Sequence, residues 1–552
     1  MSMRKAAPLA ALAATALTLS ACAASDRDDS GSDGGDTGGT FTFGAAGAPE
    51  VFDPFYATDG ETFRVTRQIF EGLVEVKPGS AELGPGLAES WEPSKDGKDW
   101  TFHLREGVKF TDGEVFDGKA VCANFERMAN QNEAAQSGPA EYWSTGMGGF
   151  GKDALYDGCE VKDAKTVVIK VKSATSKFPA MLSLSSFAMQ SPKALKEGKA
   201  NDVKVQGEGF VYPANSENPV GTGPYTLEKY DTANKTVTLK RNDDYWGEKA
   251  KTAKIVFKII PDESTRRQEL EAGSIDGYDL PNPVDWKGLE ESGNKVEVRD
   301  PFNILYLGLQ PEANAKLKDV RVRQAINYAI NRDQLVKSQL PEGATPASQF
   351  MPDTVSGYNK DLEPYPYDTA KAKALLKEAG ATGMTLKFAY PSEVTRPYMP
   401  NPQKIHEAIR KDLEKAGIKV EVTTKPWNGG YLDNVDAHKY DAWLLGWTGD
   451  YDSADNFIGT FFGNAKLNDF STVAGGYGKE LSKELKDADS TVDEAERSAK
   501  YEAINKKIAE DYVPGAPISH SPPAIVVSKD VKGLVTSPLT AEEFSTVTVG
   551  GK

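Results

Sequence analysis

Residues 446–457, "GWTGDYDSADNF", crowd three carboxylates, Asp450, Asp452 and Asp455, among Trp447, Tyr451 and Phe457. An ionised carboxylate kept among aromatic rings is costly unless a positive group or several hydrogen bonds meet it. One use of clustered aspartates is a calcium loop. Counting from Asp450, however, the sixth position is Asp455 rather than glycine and the twelfth is Phe461 rather than glutamate, so the loop pattern fails. His103, His406, His438 and His520 stand singly, with no short spacing of the kind that binds zinc, and no metal is expected. "GTGPY" (221–225) lacks the Gly-Lys-Ser/Thr ending of a phosphate loop, and no Gly-x-Ser-x-Gly elbow occurs. The acids therefore read either as turn residues bonding their own backbone or as a trap for an organic cation.

The chain that must position them has 552 residues, enough for two or three domains. With 39 % hydrophobic and 26 % charged residues it reads as globular. The net charge of −16, from 65 basic and 81 acidic residues, argues against a nucleic-acid partner. Arg4 and Lys5 precede a small-residue apolar stretch, 6–19. As a helix it covers about 21 Å, short of the roughly 30 Å hydrocarbon core, and so fits an export signal. It ends in "LSAC" at Cys22, which resembles the bacterial lipoprotein processing box. Residues 1–22 are thus expected to be a lipoprotein signal, with Cys22 lipidated and anchoring the chain outside the cytoplasmic membrane. The alternative is a soluble secreted protein. Residues 23–40, rich in Gly, Ser and Asp, read as a flexible tether. Cys122 and Cys159 remain. In an exported chain such a pair predicts a disulfide closing a roughly 37-residue loop, worth about 3–4 kcal/mol, against two separate buried thiols.

The order of elements is mixed α/β. "KDWTFHLREGVKF" (98–110) alternates like a half-buried strand, and "KTVVIKVK" and "KTVTLKRN" are further strands. "AKIVFKIIPDESTRRQELEAGSIDGYDL" (253–280) reads as strand, helix, short strand. From about residue 300, strands and helices alternate. "DVRVRQAINYAI" (319–330) is an amphipathic helix capped by Asp319. "NPQKIHEAIRKDLEKAG" (401–417) opens with a cap and a first-turn proline and stops at Gly417. "YDAWLLGW" (440–447) has the unbroken apolar texture of a strand covered on both faces.

Three long blocks, "LAESWEPSKDGKDWTFHLREGVKFTDGEVFDGKAV" (87–121), "NPVGTGPYTLEKYDTANKTVTLKRNDDYWG" (218–247) and "VRVRQAINYAINRDQLV" (320–336), resemble the family-5 solute-binding proteins of ABC importers. The similarity runs from about residue 41 to the C-terminus. It implies an α/β, two-lobed periplasmic-binding-protein-like fold with a hinge between lobes and an extra subdomain inserted in the first. The implied layout is lobe I over 41–300 with the insertion at about 77–217, lobe II over 301–512, and a return into lobe I over 513–552. Within the family, "TRPYMPN" (395–401) and "GWTGDYDSADNF" are most similar to the dipeptide-binding members. The resemblance implies that Asp450 holds a peptide's α-ammonium and Arg396 its carboxylate, with Tyr398 and Trp447 beside them. This chain lacks the proline usual before the final "DNF", which alters the local loop. Asp452 and Asp455 are expected to fix the turn, and Trp447 could equally be core.

Such a pair of clamps is chemically coherent. A carboxylate accepts an ammonium through charge-assisted bonds, and a guanidinium grips a carboxylate with two. An extended dipeptide spans about 7 Å, so two fixed clamps select length while ignoring side chains. The implied partners are a short peptide, an ABC permease and its ATPase, and a membrane through the N-terminal lipid. No cofactor is implied, and a monomer is expected. Alternatives are an oligopeptide or signalling-peptide receptor, or a nickel-chelate, haem or sugar binder of the same family. A peptide hydrolase lacks a convincing nucleophile, metal or acid pair. A purely structural lipoprotein is the remaining option.

Overall fold

The computed structural model describes residues 38–550 apart from Glu208, Glu393 and Leu467. Cys22 and the tether up to residue 37 lie outside the described residues. Among the described residues a seven-stranded sheet runs in the order Tyr225–Asp231, Thr236–Arg241, Lys254–Ile259, Thr40–Ala45, Gly277–Asp279, Ala524–Val527, Lys295–Val298. Its centre is apolar because Phe41, Phe43, Ile255, Phe257 and Ile525 pack together, fully or nearly fully buried. A six-stranded sheet runs Thr345–Pro346, Gly515–His520, Asn303–Leu309, Ala442–Thr448, Thr385–Ser392, Lys419–Pro426. Strand Asn303–Leu309 is buried along its whole length. Its alternate residues enter different cores: Leu305, Leu307 and Leu309 on one face, Ile304 and Tyr306 on the other, as a two-residue period requires.

Helices cover the second sheet for reasons visible in their sequences. Helix Pro402–Lys415 starts where the Asn401 side chain accepts from Lys404 N. It buries Ile405, Ile409 and Leu413, spaced one turn apart. Asp319 likewise caps helix Val320–Ala329. A separate four-stranded sheet, Ala88–Pro93, Asp99–Leu104, Thr166–Val171, Tyr156–Val161, forms the insertion before the first sheet resumes. There a disulfide joins Cys122 to Cys159, with Cα atoms 5.3 Å apart.

The chain leaves the first sheet after Val298 and enters the second at Asn303. The return falls later than residue 513. Strand Gly515–His520 still belongs to the second sheet, paired with Asn303–Leu309, and only Ala524–Val527 rejoins the first. Apolar content alone cannot tell which sheet the "PGAPISH" segment joins; its pairing with Asn303–Leu309 does. The two crossings are tied to each other. Asn303 Nδ2 donates to Ser521 O (2.7 Å), Ser521 N donates to Asn303 Oδ1 (3.1 Å), and Arg299 N donates to Pro523 O (2.8 Å).

Candidate functional site

Strands Lys419–Pro426, Thr385–Ser392 and Ala442–Thr448 are neighbours and mutually parallel. Their carboxyl ends therefore emerge on one edge of the sheet, the position at which open α/β sheets bind ligands. Trp427 follows the first strand, Arg396 the second and Asp450 the third. Parallel pairing thus brings to one edge two residues 54 positions apart in sequence.

Asp450 is held by Asn456. Its backbone N–H donates to Asn456 Oδ1 (2.8 Å), and Asn456 Nδ2 donates to Asp450 Oδ2 (3.4 Å). Trp447 Nε1 donates to the same Asn456 Oδ1 (3.3 Å), and its ring meets Phe461 edge-on, 6.5 Å between centroids. Trp447 thus supports the loop from the core side. Gly449 is obligatory here, because a Cβ would fall 2.3 Å from the Phe302 ring and 2.7 Å from Phe457. On its other side Asp450 faces the Tyr142 hydroxyl of the inserted subdomain. Burial pushes the Asp450 carboxyl up to about 6. The Asn456 hydrogen bond and the nearby Tyr142 hydroxyl pull it down, and Glu141 pushes it up. This acid is desolvated, and no basic group figures among the influences on it.

Arg396 sits in a tight turn closed by its own backbone to Met399, N to O 3.2 Å and back 2.9 Å. Its guanidinium lies over the Trp427 ring, 4.5 Å from the centroid, a cation–π contact that orients the head while leaving its donors open. Tyr398 is buried behind it, 5 % exposed, and burial pushes its hydroxyl up to about 12 against the pull of Arg396. Its ring packs against strand Ala442–Thr448 at Gly446. That approach requires Gly446, where a Cβ would sit 2.4 Å from the ring.

Asp452 and Asp455 do not make the turn bonds expected of them. Ser453 Oγ and Asn456 do that work. Asp455 instead receives Lys177 Nζ at 2.7 Å from the inserted subdomain. Asp452 keeps a buried oxygen with no protein partner. The sequence reading missed Tyr142, Lys177, Trp427 and Asn456. Asn456 alone was signalled, as an amide in the quoted aspartate motif; the others come from segments far away in sequence.

Among the described residues no group of three or more His, Cys, Asp or Glu is placed to hold a metal. His406 illustrates why: it is packed against Phe388 and Tyr390, and burial lowers it to about 4. No helix among the described residues is long and apolar enough to cross a membrane.

Residues 82–469 match the model of the bacterial extracellular solute-binding proteins, family 5 Middle. The chain belongs to this family. It is 33 % identical over 524 residues to the dipeptide-binding protein of Escherichia coli (strain K12), covering 92 % of this chain and 94 % of that one. It is 30 % identical to heme-binding protein A of Haemophilus influenzae, over 93 % of each chain. An ABC transporter-associated periplasmic binding protein from Helicobacter pylori, in complex with the peptide STSA, superimposes with a TM-score of 0.74. That pair is 28 % identical, with 94 % and 99 % of the two chains covered. As a family-5 protein the chain is an extracytoplasmic substrate-binding component of an ABC transporter, not an enzyme.

Proposed function

We propose that this protein captures free dipeptides and other short peptides outside the cell and delivers them to an ABC permease driven by its ATPase. In this reading Asp450 takes the α-ammonium and Arg396 the α-carboxylate, with Tyr398 and Trp447 packed beside them. The observation that supports it is the shared strand edge: Asp450 and Arg396 follow the carboxyl ends of neighbouring parallel strands. A zwitterion offers each of them its missing partner. Relatives named for dipeptides, and a neighbour bound to a four-residue peptide, support the ligand class. The lobes, divided near 300 and again at the second crossing, close over the peptide, and closure is favoured by contacts made only in that state. The N-terminal segment serves as an export signal, and lipid on Cys22 holds the protein at the membrane.

Calorimetry with Ala-Ala, N-acetyl-Ala-Ala, Ala-Ala-amide and tri- to pentapeptides tests the ligand. Blocking either terminus is expected to weaken binding about 100-fold, the loss of one charge-assisted clamp, roughly 3 kcal/mol. Equal affinity for blocked and free peptides overturns the reading. Pentapeptides binding more tightly than dipeptides turn it toward an oligopeptide receptor. For the anchor, Cys22→Ser should move the protein from the membrane fraction to the medium or periplasm.

A further inference from the structure

Beside the Asp450 loop lies a cavity of about 920 Å³. One wall comes from the inserted subdomain, with Trp91 and Trp100. The other comes from Asp452 and from Tyr501 on helix Glu494–Lys507. Asp450 and Arg396 are not among its lining residues.

Its walls are unusual in what they leave unpaired. Trp100 Nε1, the Tyr501 hydroxyl and Asp452 Oδ1 are all buried without a hydrogen-bond partner in the protein. Trp100 and Tyr501 are only 8 % and 3 % exposed. Each such group costs about 1–3 kcal/mol if it stays unpaired, and all three line one cavity. Of the basic residues in its walls, Lys77 pairs with Glu82 at 2.7 Å and Arg497 Nη1 donates to Thr491 O and Val492 O at 3.0 and 3.1 Å, while Lys360 stands further along the lining. Burial, reinforced by the acids Glu82 and Glu494, raises the Asp452 carboxyl to about 6.

We propose that this cavity is a second binding site for an organic cation, a primary ammonium or guanidinium on a flexible apolar stem. Asp452 is the counter-charge, the Trp91 face receives the stem, and Trp100 Nε1 and the Tyr501 hydroxyl bond polar atoms beside the cation. Two sources share this chemistry: the basic side chain of a bound peptide, and a free amine. The Cα atoms of Asp450 and Asp452 are at most about 7 Å apart, within the reach of a lysyl side chain whose backbone is clamped at Asp450. The peptide source rests on the function proposed above; the free-amine source does not.

Calorimetry on wild type and Asp452→Asn separates the two, using Lys-Ala, norleucyl-alanine, Ala-Ala and cadaverine as probes. Wild type is expected to bind Lys-Ala at least tenfold more tightly than norleucyl-alanine. Asp452→Asn should abolish that ratio and leave Ala-Ala within twofold, with an unreduced melting temperature showing that it folds. Cadaverine binding to wild type and not to the variant supports the site and identifies free amine as a source. If no dipeptide binds, the peptide reading fails and the cavity is judged on cadaverine alone. Two results overturn the proposal: no cation preference together with no cadaverine binding in wild type, or a preference that persists in Asp452→Asn.

Discussion

Lys177 Nζ and Asp455 Oδ2 lie 2.7 Å apart, the lysine in the inserted subdomain and the aspartate in the loop that carries Asp450. Their side chains are 21 % and 17 % exposed, so the pair is shielded more than a surface ion pair and less than a core one. Beside it Thr175 Oγ1 and Ser176 Oγ donate to Asp489 at 2.8 and 3.1 Å. These bonds tie the inserted subdomain to the Asp450 loop and to helix Gly478–Asp489 without using Asp450 or Arg396.

They should therefore act as a closure latch. Lys177→Met is expected to raise the peptide off-rate about tenfold with little change in on-rate, since the encounter involves the open form. The double variant with Asp455→Asn should recover part of the loss, because it removes the uncompensated carboxylate. Stopped-flow measurement of release checks this; an unchanged off-rate dismisses the latch.

Burial of the Asp450 carboxyl has a pH consequence whose sign differs between the empty and loaded protein. In the empty protein the Asp450 carboxyl is raised from 3.8 to about 6, so the folded state holds this proton more tightly than the unfolded one. Its contribution to stability therefore declines as pH rises through that window. Asp450→Asn should then stabilise the empty protein at pH 7, by at most about 3 kcal/mol. Peptide binding runs the other way, since an ammonium needs the ionised acid. Affinity for Ala-Ala should be flat between about pH 6 and 7, fall up to tenfold per unit below that range, and decline toward pH 8 as the peptide's own α-ammonium deprotonates. Calorimetry from pH 4.5 to 8 reads this directly. A profile that stays flat on the acid side removes Asp450 from the ammonium site.

The parts of the fold carried by local pattern could be read from sequence, and those set by long-range pairing could not. The caps at Asp319 and Asn401 and the buried run in Ala442–Thr448 follow from residue types a few positions apart. The placement of Gly515–His520 depends on a partner strand some two hundred residues earlier, and nothing local specifies it. The site divides the same way. Asp450 stands out because three acids sit among aromatics, whereas Tyr142 and Lys177 come from an ordinary-looking subdomain and gain meaning only where the lobes meet. Turn formation is the commoner use of residues such as Asp452 and Asp455. Here the shorter side chain of Ser453 and the amide of Asn456 reach the backbone instead.

Arg396 gives a prediction about geometry rather than charge. Its guanidinium is set by the Trp427 ring at 4.5 Å, and a lysine cannot reproduce both the stacking and a two-bond grip. Arg396→Lys should weaken a free-acid dipeptide by about tenfold or more while leaving affinity for its C-terminal amide nearly unchanged. Trp427→Ala should produce a smaller loss of the same selectivity. If Arg396→Lys affects acid and amide equally, the residue does not read the carboxylate.

The last prediction concerns the crossing between the lobes. Arg299 is fully buried, its Nη1 2.7 Å from Asp279 and its Nε 2.6 Å from Glu542, while Arg64 approaches Asp279 from the other side at 2.5 Å. Burial alone would raise the Asp279 carboxyl, but Arg299 and Arg64 outweigh it and hold it below its ordinary value. Stability from this group is thus fully present above the unfolded carboxylate's range and is lost as pH falls through the lower folded value, opposite in sense to Asp450. Removing one partner leaves buried carboxylates uncompensated, so Arg299→Met should cost about 3–5 kcal/mol. Replacing the cluster with apolar residues of similar volume should cost far less. Urea titration of the empty protein at pH 7 measures both. Arg299 N also donates to Pro523 O across the paired crossings, so a backbone shift in the same variant should loosen the register between the two passages and increase amide exchange at Ser521 and Ala524 before global unfolding. A variant that loses stability with exchange there unchanged would mean that the ion cluster supports the first sheet alone and leaves the crossing untouched.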